Sequence, residues 1–196
     1  VTTVGYQQIA PHAVYPPMNH PTQYLFSTHK GRTLDEYILL YIANGSGTFS
    51  SNKQKNIRLT TGSILLLFPG EWHNYEPDPS TGWDEYWIGF QGDNMETLVQ
   101  NGFFCEQKKV FNVGLSLEVI QLFRMAISVA TEQKAGFQQI LGGITNLLLG
   151  MTHSLDKLQS FSQSQPMQLI NKAKLIMFEN SHTNVTVEEI AGRICM

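Results

Sequence analysis

Glu85 and Trp87 lie two residues apart in the run Trp83-Asp-Glu-Tyr-Trp-Ile-Gly-Phe90. In an extended chain that spacing puts both on one face, with Gly89 adding no side chain beside them, while Asp84, Tyr86, Ile88 and Phe90 take the other face. A carboxylate next to an indole is a way to build a site for a small polar ring. Just upstream, Gly62-Ser-Ile-Leu-Leu-Leu-Phe-Pro-Gly-Glu-Trp-His-Asn-Tyr75 brings His73 and Tyr75 to one side of its own extended end. Glu85 weighs most among these candidates. A carboxylate set between aromatics on a barrel strand costs desolvation free energy unless it faces water or a ligand. Trp83 reads as a hydrophobic plug rather than a ligand contact, and Trp87 suits either role.

The elements that must hold these residues are short strands. Gly62 allows a sharp turn into the continuous apolar run 64–68, which has the length of a buried strand, and Pro69-Gly70 ends it. Residues 37–42 form a strand with apolar side chains on both faces, covered on both sides, and Asn44-Gly-Ser-Gly47 supplies turn residues leading into Thr48-Phe49. A polar loop over 51–56 joins this to 57–59. Residues 4–9 and 24–28 have extended character, and Pro11, Pro16, Pro17 and Pro21 exclude a helix between and around them. Strands at regular intervals as far as residue 91 predict a small antiparallel barrel or jelly roll.

Beyond the strands the apolar period changes from two to 3.6. Residues 115–133 predict one helix and residues 136–158 a second. In the second, Leu141, Ile144, Leu148, Met151, Leu155 and Leu158 follow one another at 3, 4, 3, 4 and 3, which is a coiled-coil seam and predicts dimerisation. A further row, Phe137, Ile140 and Leu147, would then pack on the barrel or the preceding helix. The alternative is a helix whose seam is buried inside its own domain. Residues 160–166 read as a linker. Residues 167–180 predict an amphipathic helix, and Thr186-Val-Glu-Glu189 is a capping box opening another.

Composition bounds the function. With 196 residues and 42% hydrophobic content, the chain can bury one full core and a smaller satellite. A formal charge of −3 gives no basic footprint for nucleic acid or anionic membrane. Cys105 and Cys195 are far apart and lack metal-type spacing, which with the absence of a signal-like N-terminus predicts a cytoplasmic protein. No cofactor motif or Gly-rich phosphate loop is present.

With these residues in view, the sequence resembles the arabinose-regulator (AraC/XylS) family of bacterial transcription factors. The resemblance rests on residues 31–47, on the runs 62–75 and 83–90, and on Ile170-Asn-Lys-Ala-Lys through Val187-Glu-Glu-Ile-Ala191. It implies an α+β chain: a cupin-like antiparallel barrel with an N-terminal arm over 1–110, then an antiparallel helix pair forming a dimerisation element over 111–159. After the 160–166 linker, 167–196 would be the truncated start of a helix-turn-helix domain. It implies a small-molecule effector, usually a sugar, a homodimer, and operator DNA bound through the DNA-binding domain of the full-length protein. Sugar-binding members use an Arg before the first long strand, an aromatic after the Pro-Gly turn and residues of the Trp-rich strand. Here these are Arg32, Tyr75, Glu85 and Trp87, with His73 adding a polar contact at the mouth. A surface ion pair with Asp35 or Glu36 is the other role open to Arg32. The arm segment 11–17 is placed in sequence to close over a ligand.

Two other classes compete. A cupin enzyme, whether isomerase or dioxygenase, usually holds a metal with a His-x-His pair, a Glu and a further His. His73 stands at the last of these positions, but residues 37–42 carry no His-x-His. A lectin-like barrel would explain the pocket and leave the helical segments without purpose. The expectation is therefore a ligand-sensing, dimerising region of a regulator of carbohydrate-utilisation genes, not an enzyme.

Overall fold

A computed structural model describes residues 1–16, 30–162, 165–183 and 185–194, with backbone alone over 159–162 and 165–168. Seven strands come first: β1 (Thr3–Ile9), β2 (Tyr37–Ser51), β3 (Ile57–Thr60), β4 (Ser63–Leu67), β5 (His73–Pro77), β6 (Trp83–Phe90) and, after α1 (Asp93–Gln100), β7 (Val110–Asn112). The helices α2 (Leu117–Glu132), α3 (Phe137–Ser162), α4 (Gln165–Glu179) and α5 (Val187–Ile194) complete the chain. The chain is thus α+β with antiparallel strand pairing throughout.

The strand β2 organises the sheets. Its first part pairs with β6 and β4, extended by β1 and β7 at the edges, while its last six residues pair with β3 and β5. The expected turn at Asn44-Gly-Ser-Gly47 is instead the bend at which one 15-residue strand passes from one sheet into the other. A register shift lies between Ile42 and Asn44, and Gly45 takes a φ of 85°. A side chain at Gly45 would strike the Gly82 carbonyl, and one at Gly47 the ring of Trp83. Glycine is needed here so that two backbones can approach, which is why the residues look like a turn in sequence.

The period-two alternation along β2, β4 and β6 divides the apolar residues between two cores. Ile38, Leu40, Ile42, Leu65, Leu67 and Trp83 point between the sheets, where they meet Phe49, Leu59 and Tyr75. Leu39, Tyr41, Ile64, Leu66, Tyr86 and Ile88 point to the other side, where they pack under α2 and α3. The continuous apolar stretches at 37–42 and 64–68 are buried on both faces, as their composition predicts.

α2 starts at a Ser116 cap, whose hydroxyl accepts from the Val119 N–H at 3.3 Å. It ends with Gln133 in the left-handed region. The row Leu141, Ile144 and Leu148 on α3 is buried in the same core as Phe123 and Ile88, and Met151 and Leu155 pack against its edge. This corrects the placement of those residues on an open dimer seam. In the second row Phe137 packs against this core, as expected, while Ile140 and Leu147 face solvent together with Leu158. A 3–4 repeat marks a helix face without saying whose surface covers it. Helix enters the segment 160–166, expected as a linker, from both sides. α3 continues to Ser162 and α4 starts at Gln165, with Pro166 in the first turn, where its missing N–H costs nothing.

The capping box is formed as expected. The Thr186 N–H donates to Glu189 Oε2 at 3.0 Å, and the Glu189 N–H donates to Thr186 Oγ1 at 3.2 Å. The helix α1 and the short strand β7 were not anticipated. The extended segment expected at 24–28 and the end of the arm at Pro17 lie outside the described residues.

Candidate ligand site between the sheets

His73 and Arg32 are positioned by the backbone. Each donates its N–H to the other's carbonyl at 2.9 Å, so the segment before β2 is clamped to the start of β5. The His73 ring is buried. Its Nδ1 lies 3.1 Å from the Glu71 carbonyl, while Arg32 Nε donates to Nε2 at 3.4 Å. Burial and the neighbouring guanidinium push His73 down to about 4, so the ring is neutral near pH 7, with Nδ1 donating and Nε2 accepting.

Arg32 also donates from a terminal nitrogen to Tyr75 Oη at 2.5 Å, and its guanidinium lies 5.5 Å from the centre of the Tyr75 ring. Alternation along β5 puts His73 and Tyr75 on one face with Asn74 between them, and their rings stack at 6.2 Å. Burial raises Tyr75 to about 12, so its phenol stays protonated.

β6 supplies the opposite wall. Glu85 is 2% exposed, and it accepts from Tyr15 Oη at 3.3 and 3.4 Å. Burial pushes its carboxyl up to about 8 against the smaller opposing effects of the Tyr15 hydrogen bond and Arg32. The group is therefore mostly a neutral carboxylic acid near pH 7, able to donate as well as accept. The Tyr15 ring meets Trp83 edge-on at 5.8 Å and lies 6.3 Å from Tyr75. The Trp83 indole N–H is buried without a hydrogen-bond partner among the described residues. Trp87 is half-buried at the edge of the same cluster. It lies over Gly5 of β1, where a side chain would collide with the indole, and donates to Thr3 Oγ1 at 3.3 Å.

Arg32, His73 and Tyr75 are thus directly linked, Glu85 is joined to their aromatic cluster through Tyr15, and Trp87 stands at its β1 side. Tyr15 and the Trp83 N–H were missed as site groups in the sequence. Tyr15 is 70 residues from Glu85, with no spacing to announce it. Trp83 was read as a plug, which describes its burial and overlooks its donor. Among the described residues no three His, Cys, Asp or Glu side chains gather as a metal site. The groups that converge are hydrogen-bonding groups and aromatic faces, the equipment for holding a polar ring.

A family model for the AraC-like ligand binding domain matches residues 11–169. The chain belongs to this family. Over 103 residues, half of the chain, it is 28% identical to the raffinose operon transcriptional regulatory protein RafR of Pediococcus pentosaceus, covering 37% of that protein. It is 24% identical over 169 residues, 82% of the chain, to the Msm operon regulatory protein of Streptococcus mutans, covering 58% of it. The AraC-type chain thus spans between about one third and three fifths of the length of these relatives. Solved structures similar to it include the AraC-like transcriptional activator CuxR, with 11% identity and a TM-score of 0.38 over 87% of this chain and 61% of that one. An apo form of ToxT from Vibrio cholerae gives 12% identity and a TM-score of 0.40 over 85% and 65%. No helix among the described residues is long and apolar enough to cross a membrane.

The other face of β6 leads toward the helices. Tyr86 Oη accepts from Arg124 Nε at 3.2 Å, and Arg124 pairs with Glu179 of α4 at 2.9 Å. Beside this bridge a cavity of about 390 Å³ lies between Tyr6, Asp84, Tyr86, Lys172 and Leu175.

Proposed function

We propose that this chain is the effector-sensing and dimerising region of a cytoplasmic transcription regulator for carbohydrate-utilisation genes, and that its effector is a sugar held in a cupin-like barrel. The observation that carries the sugar is the convergence of Arg32, Tyr75, Glu85 and two indoles on the inner core, with Arg32 donating to Tyr75 and Glu85 accepting from Tyr15. The guanidinium and the neutral carboxyl offer donors and an acceptor to sugar hydroxyls, and an indole suits the C–H face of a ring. Relatives named for a raffinose operon and an Msm operon support the same reading.

Dimerisation is assigned to the open face of α3, where Ile140, Gly143, Leu147 and Gly150 recur at 3, 4 and 3, and Leu158 continues the stripe. Ile140, Leu147 and Leu158 are each about half exposed, at 49%, 52% and 56%. α4 and α5 are read as the opening helices of a helix-turn-helix domain, through which the full-length protein would bind operator DNA. A sugar that contacts one arrangement of the chain better than another would shift the dimer between operator-binding geometries.

The test is a thermal-shift screen of the chain against raffinose, its constituent monosaccharides and other pentoses and hexoses. A sugar at about 100 times its dissociation constant adds about 2.7 kcal/mol of stability, which raises the midpoint visibly. No shift with any sugar counts against the reading.

A further inference from the structure

Beside the 390 Å³ cavity under Tyr86 lies a larger one of about 810 Å³, and the two share Asn44, Thr61, Leu115 and Lys172. They form a cleft between the bend of β2, the end of β3 and α4, bordered by Leu169 of α4 and Ile194 of α5. Most charged groups along it are spent within the protein. Arg124 pairs with Glu179 and donates to Tyr86, and Asp84 accepts from the side-chain amides of Gln8 and Asn44. Lys172, half-buried, and Arg58 remain, and neither makes an ion pair among the described residues. Asp78, whose charge reaches Arg58, accepts from the N–H and the hydroxyl of Ser80 at 2.9 and 2.7 Å. No carboxylate lines the larger cavity among the described residues. In a chain of net charge −3, two unspent cations facing one cavity call for an anion. The hydroxyls along the bend indicate what the anion is attached to. Thr61 donates to the Gly45 carbonyl at 3.2 Å, Thr81 donates to the Gly82 carbonyl at 3.0 Å, and Ser46 Oγ lies 3.0 Å from Thr81 Oγ1. With their protons so used, the threonine oxygens offer lone pairs, which suit ligand hydroxyls rather than anionic oxygens. Among the described residues no aromatic ring lines the larger cavity, so a nucleobase would find no stacking face there.

We infer that this cleft is a second ligand site, which takes a phosphate monoester of a sugar or similar small polyol, with Lys172 and Arg58 binding the phosphate and Thr61 and Thr81 accepting from the hydroxyls. A phosphate monoester carries about −1.5 to −2 at pH 7, which matches the two cations. Hydrogen bonds between ionised partners are the stronger kind, so the phosphate supplies the affinity and the hydroxyls the selectivity. Arg58 belongs to β3 and Lys172 to α4, and the bound anion therefore ties α4 to the sheet, in addition to the Arg124–Glu179 pair. None of these residues belongs to the cluster of Arg32, Tyr75 and Glu85, so the inference stands or falls apart from the sugar-sensing reading.

Calorimetric titration of the 196-residue chain at low salt tests this, with glucose 6-phosphate, galactose 6-phosphate, AMP and inorganic phosphate as the probes. At least one sugar phosphate should bind the parent, and Lys172→Gln and Arg58→Gln should each weaken it about tenfold or more. Arg58 is exposed and Lys172 has no ion-pair partner among the described residues to lose, so thermal melts of both variants should follow the parent. The same sugar phosphate should bind about tenfold or more tightly than inorganic phosphate, the added affinity coming from its hydroxyls. No binding of either sugar phosphate overturns the inference. Equal affinity in the parent and both folded variants also overturns it, because the ester then binds elsewhere. Inorganic phosphate or AMP binding as tightly as the better sugar phosphate overturns the assignment of the ligand as a polyol ester.

Discussion

Glu85 and Tyr86 are neighbours on β6 that face different halves of the molecule: Glu85 accepts from Tyr15 between the sheets, and Tyr86 accepts from Arg124 under the helices. Arg124 in turn holds Glu179 of α4. One strand therefore touches the candidate ligand pocket on one side and the helical layer on the other. Any displacement of β6 by a ligand reaches α4 through two hydrogen-bonded contacts.

Arg32 is the cation of the site, and its role separates binding from folding. Arg32→Ala removes the donor to Tyr75 and the contact with His73 while the backbone clamp remains. Hydrogen bonds to or from a charged group are worth about 1.5–3 kcal/mol, so sugar affinity should fall about ten- to a hundredfold, and the buried Tyr75 hydroxyl that loses its donor should lower the melting midpoint without unfolding the chain. Titration calorimetry paired with thermal melts reads both quantities.

Glu85 makes stability depend on pH. Its folded value of about 8 lies above the ordinary 4.5, so the native chain keeps a proton that the unfolded chain releases between those values. Its contribution is complete below about pH 4.5 and is lost as pH rises toward 8. The groups facing it, Tyr15 and Tyr75, are pushed to the alkaline side, and so do not titrate in that window. His73, depressed to about 4, acts in the opposite sense and only below about 6.5. Glu85→Gln, a fixed neutral analogue, should match the parent near pH 5 and melt higher at pH 8.5. Parallel melting curves at all pH values would contradict the assignment.

Two adjacent leucines on α3 should behave differently. Leu148 is fully buried in the core shared with α2 and the sheet, whereas Leu147 is 52% exposed. Leu148→Asp places a charge in that core and should destabilise the fold by about 3–5 kcal/mol or prevent folding. Leu147→Asp should leave the melting curve within about 0.5 kcal/mol of the parent monomer and yield monomer in analytical ultracentrifugation. A persistent Leu147→Asp dimer would remove this face from the interface.

Trp83→Phe deletes the orphan N–H and keeps an aromatic ring. The variant should fold with stability close to the parent, since the lost ring volume is offset by relief of an unsatisfied donor. Its sugar affinity should drop several-fold, as measured by titration. Unchanged affinity would mean that the indole N–H is not a ligand contact.

The alternation of β6 was legible from residues 83–90, because one buried face per layer fixes which side chain goes where. The capping box at Thr186 and the doubly buried runs at 37–42 and 64–68 were legible for the same local reason. The bend of β2 was not, because Gly45 serves a close approach to Gly82, and a glycine that admits a backbone looks in sequence like a glycine that turns one. α3 is a helix as expected, and its row Leu141, Ile144 and Leu148 lies in the chain's own core rather than on an open seam. The rows are similar in composition, and only the position of α2 and the sheet decides which is covered. Tyr15 belongs to a contact spanning 70 residues and carries no local signature.

The most direct test of the account is isothermal titration of the chain with raffinose, galactose and the other monosaccharides of the screen, run in parallel on Arg32→Ala. Saturable binding of at least one sugar is expected, with one site per chain, reduced at least tenfold by the substitution while the fold persists. A sugar that binds the parent and Arg32→Ala with equal affinity, or no binding of any sugar to either, would contradict the placement of a carbohydrate site between the sheets.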